Sequence, residues 1–265
     1  MPYIDDTEYF EFLKNKRVAI VGPAKSAEGK RGGSKIDSYD IVVRVKSTFI
    51  PEEREVDLGA RKDILYIDDL QVNDILPGDN VSRPKNEDGT PSTKLIIENN
   101  RKRNGRVPHE FKFICSIYPV EEWFFNRFRF AFKHYSMHHK VRMMPPEPYF
   151  TIKKETNRPN AGFCAIMDLL SAPISELYIT GLDFYRSLYR GSYLNSEWTK
   201  ATVTNMSKEA DGNCPRTNKS DVHDPDKQFK YFKYNMYLKD PRITVDDFLK
   251  IALEDPRYEK YNNIL

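Results

Sequence analysis

Val18-Ala19-Ile20-Val21-Gly22-Pro23-Ala24-Lys25-Ser26 is a short apolar run, mostly β-branched, that ends in a glycine turn. A run of this kind, closed by turn chemistry, marks a strand buried on both faces, as in a parallel sheet. Arg17 to Gly22 is therefore read as such a strand. Upstream, residues 5–15 read as a helix burying Tyr9, Phe10, Phe12 and Leu13. Downstream, strands are expected at Asp40–Val45, Asp63–Ile67, Phe111–Cys115 and Ser175–Gly181. Helices are expected near 120–137, 161–171, 225–237 and 244–254, the last with Thr244 as N-cap. Strands alternating with helices predict an α/β fold, a single-domain Rossmann-like sandwich with a mainly parallel central sheet flanked by helices. In such a sheet ligands bind outside the C-terminal strand ends, and the glycines at 22 and 181 mark that rim. No repeat or linker divides residues 1–265. Residues 77–93 read as a polar loop and 186–222 as a mobile lid.

Composition narrows the class. The chain has 265 residues, 39% hydrophobic and 31% charged, enough for one α/β domain with a proper core. No stretch approaches the run of about 18 apolar residues that a membrane-spanning helix needs. The acidic start, Met1-Pro2-Tyr3-Ile4-Asp5-Asp6, lacks the apolar core of a signal peptide, so a soluble, cytoplasmic protein is expected. Cys115, Cys164 and Cys214 are odd in number and lack metal-ligand spacing, which predicts free thiols. A net charge of +3 is too small for a dedicated nucleic-acid binder. Basic residues nevertheless interleave with aromatic ones: Arg127, Arg129, Lys133, Lys140 and Arg142 among Trp123, Phe124, Phe125, Phe128, Phe130, Phe132 and Tyr135. That segment reads either as a surface for an acidic substrate or partner, or as an amphipathic helix with a solvated basic face. His134, His138 and His139 are assigned to the same helix.

The glycine turn invites three nucleotide-binding readings. A dinucleotide fingerprint fails because Ala24 stands where a second glycine must admit pyrophosphate. A Walker A loop fails because six residues separate Gly22 from Gly29, and Lys30 is followed by Arg31. A methyltransferase stays open on pattern alone.

Longer blocks are more specific. The first runs from Val18-Ala19-Ile20-Val21-Gly22 through Ile36-Asp37-Ser38-Tyr39-Asp40-Ile41-Val42-Val43-Arg44-Val45 to Val56-Asp57-Leu58-Gly59-Ala60-Arg61. The second joins Pro159-Asn160-Ala161-Gly162-Phe163 to Glu176-Leu177-Tyr178-Ile179-Thr180-Gly181-Leu182-Asp183, and the third is Val222-His223-Asp224-Pro225-Asp226-Lys227-Gln228. In this order they resemble the large, small and very small sialyl motifs of the animal-type sialyltransferase family. The resemblance implies that family's variant of the GT-A-type fold. It also implies an inverting, metal-independent glycosyltransferase that moves an acidic sugar, sialic acid or Kdo, from a CMP donor to a glycan acceptor hydroxyl. No cofactor beyond the donor substrate is implied.

By the same resemblance His223 is the general base, an apt choice because imidazole titrates near working pH. The donor phosphate would be met by backbone amides at Gly22-Pro23-Ala24 and at Asn160-Ala161-Gly162, where a helix begins. Arg44 and Lys46 at the end of the second strand, and Gly181, Leu182 and Asp183 at the end of the strand that closes the second block, complete the expected donor site. Arg44 has an alternative reading as a structural ion-pair partner of Asp40 or Asp57. Asp37 and Asp40 are read as structural, and Asp68-Asp69 as a turn rather than a metal site.

Several residues depart from the family pattern. Asn160-Ala161-Gly162 replaces Ser-Thr-Gly, Pro23 and Lys46 replace asparagines, and Gln228 replaces glutamate. The histidine-tyrosine motif is not recognisable in 186–222, where Tyr189, Tyr193 and Trp198 stand as substitutes. The positions of the family disulfide correspond to Val18 and Ile174, which implies a non-secretory origin, viral or bacterial. Two rivals follow from these departures: a same-fold transferase using another nucleotide sugar, and a degenerate nucleotide- or RNA-binding protein.

Overall fold

The computed structural model of the chain describes residues 6–46, 50–67, 111–117, 139–187 and 223–259. Helix α1 (Asp6–Leu13) leads into β1 (Arg17–Val21) and a 3-10 turn, Lys25–Ala27. There follow α2 (Gly33–Asp37), β2 (Ile41–Val45), α3 (Glu52–Leu58), β3 (Ile64–Ile67), β4 (Phe113–Ser116) and β5 (Lys140–Met143). The second half holds α4 (Pro146–Thr156), α5 (Ala161–Ser171), β6 (Glu176–Thr180), α6 (Pro225–Tyr231), β7 (Ile243–Val245) and α7 (Asp247–Glu254). A π-helical segment, Phe232–Tyr237, continues α6, and a 3-10 turn, Pro256–Glu259, follows α7.

All seven strands form one sheet in the order β5-β4-β3-β2-β1-β6-β7, and every pairing is parallel. The chain winds outward from β1 through β2 to β5, then returns to the other side of β1 for β6 and β7. This is a doubly wound α/β fold, Rossmann-like, with its switch point between β1 and β6.

Side-chain alternation explains why helices cover both faces. Val18, Ile20, Val43, Leu177 and Ile179 point into one core with Leu13 of α1 and Phe163, Ile166 and Leu169 of α5. Ala19, Val21, Val42 and Tyr178 point into the other with Ile36 of α2 and Leu58 of α3. Each fully buried aliphatic side chain of this kind contributes about 1.5–3 kcal/mol.

A polar cluster crosses the larger core. Arg142 on β5 donates to both carboxylate oxygens of Asp168 on α5, one of these bonds being 2.9 Å. Tyr66 on β3 also donates to Asp168, and its hydroxyl meets that of Tyr9 on α1 at 2.7 Å. Asp6 accepts from Arg142 Nε at 2.6 Å. Burial pushes the Tyr9 and Tyr66 hydroxyls well above the usual phenol range and the Cys115 thiol up to about 12, so all three stay protonated. Cys115 is a buried free thiol, and Cys164 is buried in the same core. Val18 and Ile174, which stand at the family's disulfide positions, pack in the same core.

Three expectations need correction. Lys140 and Arg142 lie on strand β5 rather than on a basic helix, and His139 precedes that strand, its Nδ1 3.1 Å from the Phe111 carbonyl oxygen. Arg142 is buried because Asp168 waits for it. Thr244 lies in β7 and does not cap a helix; the cap of α7 is Asp246, which accepts from Leu249 N at 2.8 Å. Helix α4 is additional, and Pro146 in its first turn is the sequence signal that could have revealed it.

The helix expected at 120–137, the loop at 77–93, Asp68-Asp69, His109, His134, His138 and Cys214 lie outside the described residues. So does the loop at 186–222 beyond Ser187, with Tyr189, Tyr193 and Trp198. Among the described residues no helix is long and apolar enough to cross a membrane.

Candidate functional site

The switch point is built by backbone approaching backbone. β1 ends at Gly22 and β6 at Gly181, and Gly22 N donates to the Thr180 carbonyl at 2.9 Å while Ala24 N donates to that of Gly181 at 3.0 Å. A Cβ on Gly22 would stand 2.1 Å from the Gly181 carbonyl oxygen, so only glycine lets the two strand ends cross here. Gly181 also has φ +63°, in the left-handed region. Pro23 and Ala24 are buried beside this crossing. Leu182 lies over it: its side chain fills the space that Cβ atoms on Gly22 and Gly162 would need. Gly22, Pro23, Ala24, Gly162, Gly181 and Leu182 thus form one packed cluster, mostly buried, at the C-terminal ends of β1 and β6.

Asp183 follows directly in the chain. It is buried and accepts hydrogen bonds from the hydroxyls of Ser26, at 2.8 Å, and Ser187. Burial pushes its carboxyl up to about 6, against the pull of those hydroxyls. Asp246 ties the far side, accepting from Thr180 Oγ1 at 2.8 Å and Gly181 N at 3.1 Å while it caps α7.

The second and third sequence blocks meet at the start of α5. Asn160 is the N-cap, its Oδ1 accepting from Phe163 N at 2.8 Å, so that oxygen is spent on the helix. The first-turn amides of Ala161 and Gly162 are the donors that any helix start leaves without an intrahelical partner. His223, just before α6, places Nδ1 2.9 Å from the carbonyl oxygen of Arg158, two residues before that cap. A hydrogen on Nδ1 makes Nε2 the basic nitrogen of the neutral ring. Tyr185 lies nearly parallel to the imidazole, with ring centroids 6.4 Å apart and planes at 21°.

Tyr185 comes from a constrained segment. Phe184 and Tyr185 have φ values of +53° and +64°, a conformation that costs about 1–3 kcal/mol for each non-glycine residue. Buried Arg186 holds it, donating to the Tyr258 carbonyl at 2.8 Å and to Asp226 on α6 at 2.9 Å. No sequence signal marked Tyr185, because its partner is 38 residues away in a different block.

Arg44 and Lys46 lie one strand over. The Arg44 guanidinium is buried and donates to the carbonyl oxygens of Leu58, at 2.7 Å, and of Gly59 and Arg61, which clamps the turn after α3. Its expected partners accept elsewhere: Asp40 from Arg17 N, and Asp57 from the amides of Gly29 and Arg31. Burial opposes the charge on Asp57, but those amides, with that of Lys30 and the charge of Arg31, together outweigh it and hold the carboxyl below its usual range. Asp37 accepts from the amides of Ala60 and Arg61. Lys46 ends β2 with φ +56°, its amide on the Tyr66 carbonyl at 2.8 Å. Among the described residues no group of three His, Cys, Asp or Glu side chains converges as metal ligands would.

No family model and no curated protein matches the chain. Two crystal structures of a mammalian sialyltransferase are similar to it. The first, in complex with Gal-β-1,3-GalNAc-ortho-nitrophenol, is 12% identical with a TM-score of 0.45, over 77% of this chain and 71% of that one. The second is 12% identical with a TM-score of 0.42, over 73% of this chain and 66% of that one. This likeness concerns the course of the backbone and assigns no role to any residue.

Proposed function

We propose that the chain is an inverting glycosyltransferase that moves an acidic sugar from a CMP donor onto a glycan hydroxyl, without a metal ion. The observation that carries this reading is His223 bonded through Nδ1 beside the start of α5, next to the glycine crossing of β1 and β6. In this reading a base and a set of amides able to receive an anion lie at the same helix start. In the reaction, Nε2 of His223 takes the proton of the acceptor hydroxyl as its oxygen attacks the anomeric carbon. The CMP phosphate leaves from the opposite face, inverting that carbon, and the first-turn amides of Ala161 and Gly162 receive its charge. Kdo and sialic acid are equivalent in this scheme, since each carries a carboxylate beside the reacting carbon.

A thermal-shift panel of CMP, CDP, UMP, UDP, GDP and NAD tests the donor. A ligand of the folded state stabilises by about 2.7 kcal/mol at a hundred times its Kd. Stabilisation confined to cytidine nucleotides supports the reading, and a shift for another nucleotide alone replaces CMP with that donor. The second arm assays CMP-sialic acid and CMP-Kdo turnover. His223→Ala is expected to lower kcat by about 10²–10⁴ with the melting temperature kept; unchanged turnover would remove His223 from the mechanism.

A further inference from the structure

Gln228 on α6 is completely buried, yet its amide has partners at both ends. Its Oε1 accepts from Asn160 Nδ2 at 2.9 Å and, at 3.4 Å, from Asn160 N, while its Nε2 donates to the Arg158 carbonyl oxygen at 3.1 Å. That same oxygen faces Nδ1 of His223 at 2.9 Å. Two departures from the sialyl-motif pattern, Asn160 and Gln228, therefore face each other, and the histidine is attached to the carbonyl that Gln228 holds. We propose that Gln228 is a positioning residue that fixes the tautomer and orientation of the His223 ring by anchoring the Arg158 carbonyl and locking it to the cap of α5. This deepens the reading of His223 as base and rests on it for any effect on turnover.

The chemistry specifies an amide at 228. The position has donors on one side, from Asn160, and an acceptor on the other, the Arg158 carbonyl. An ionised glutamate accepts only, so it would satisfy Asn160 and repel the carbonyl. A glutamine does both, without charge. Among the described residues, the charged groups on the elements around the ring include Arg158 itself, Asp224, which caps α6 and pairs with Lys227, Lys230 further along α6, and the Arg186–Asp226 pair behind Tyr185. The amide bridge thus sets the ring by geometry, through the Arg158 carbonyl that faces Nδ1.

The test reads the ring directly. Two-bond 1H–15N spectra of histidine-labelled protein, with the resonance assigned by its loss in His223→Ala, report which nitrogen carries the hydrogen. In the wild-type chain the Nδ1–H form is expected. Gln228→Met fills the same space but holds nothing, and Gln228→Glu keeps the Asn160 bonds but not the Arg158 bond. Both variants are expected to lose the fixed Nδ1–H signature, and Asn160→Ala to weaken it. The two variants serve as a pair, so that either one retaining a cooperative melt suffices. A folded Gln228→Met or Gln228→Glu protein with the wild-type His223 spectrum would overturn the proposal. Where a CMP-sugar is turned over, the variants should lower kcat more than tenfold with donor KM within about twofold. An intact effect on the spectrum without any transferase activity would sink the proposed reaction and leave the positioning role standing.

Discussion

Asp183 is one of the residues in which the candidate site and the stability of the chain meet. Its carboxyl is raised to about 6 by burial, so the folded state holds the proton more tightly than the unfolded chain does. Stability from this group is therefore fully present below the unfolded value of about 4 and is lost as pH rises through about 6. The size of the effect follows from a shift of roughly two units and is about 3 kcal/mol. Asp183→Asn, which keeps an acceptor for Ser26 and Ser187, is expected to melt higher than wild type at pH 7.5. The gap should close toward pH 4, and a gap independent of pH would contradict the assignment. Gly22 makes a second residue-scale case. Gly22→Ala places a methyl group against the Gly181 carbonyl and should cost more than about 3 kcal/mol in chemical denaturation, since neither backbone can retreat.

At the scale of elements, the Arg142–Asp168 pair joins β5 to α5, and Tyr66 and Tyr9 bring in β3 and α1. Breaking a buried pair leaves a bare charge in the core, so Arg142→Met is expected to lose about 3–5 kcal/mol. The double variant Arg142→Met with Asp168→Leu should recover much of that loss. Additive losses in the two single variants and the double variant would show that the pair does not act as a unit. This pair also shows where a sequence falls silent. Lys140-Val141-Arg142-Met143 looks like part of a basic surface because an arginine reads as exposed until its carboxylate is known, and that carboxylate lies on another element. β7 escaped for a related reason: three residues with a threonine at the centre have the look of a helix cap. By contrast, β1, β2, β3 and β6 could be read directly, since strands buried on both faces are predominantly apolar. The glycine ends of the site were legible in the same way, as turn chemistry after such strands. Tyr185, the Arg158 carbonyl and the bridge through Gln228 were not, because each depends on which segments the fold brings side by side.

For the molecule as a whole, the winding order makes the centre of the sheet the last place to open. β1 pairs on both sides, with β2 and β6, whereas β5 and β7 are at the two ends of the strand order. Hydrogen exchange is expected to be slowest at amides of Ala19–Val21, Val42–Val45 and Leu177–Thr180, approaching the rate of global unfolding. Exchange at β5 and β7 should be faster. Equal protection across all seven strands would indicate one cooperative unit that opens only as a whole.

The anchoring of Arg186 to the Tyr258 carbonyl has a consequence for synthesis, which runs from the N-terminus onward. β1 emerges early but has its second neighbour only once β6, more than 150 residues later, has been made. The segment bearing Tyr185 must wait longer still, until Tyr258 is free of the ribosome. A nascent chain that ends at residue 250 can hold every described strand of the sheet and the Arg186–Asp226 pair and still lack the Tyr258 carbonyl that receives Nε of Arg186. The second fastening of the Tyr185 segment is therefore furnished last, and a polypeptide released early would be nearly folded with that segment held from one side only.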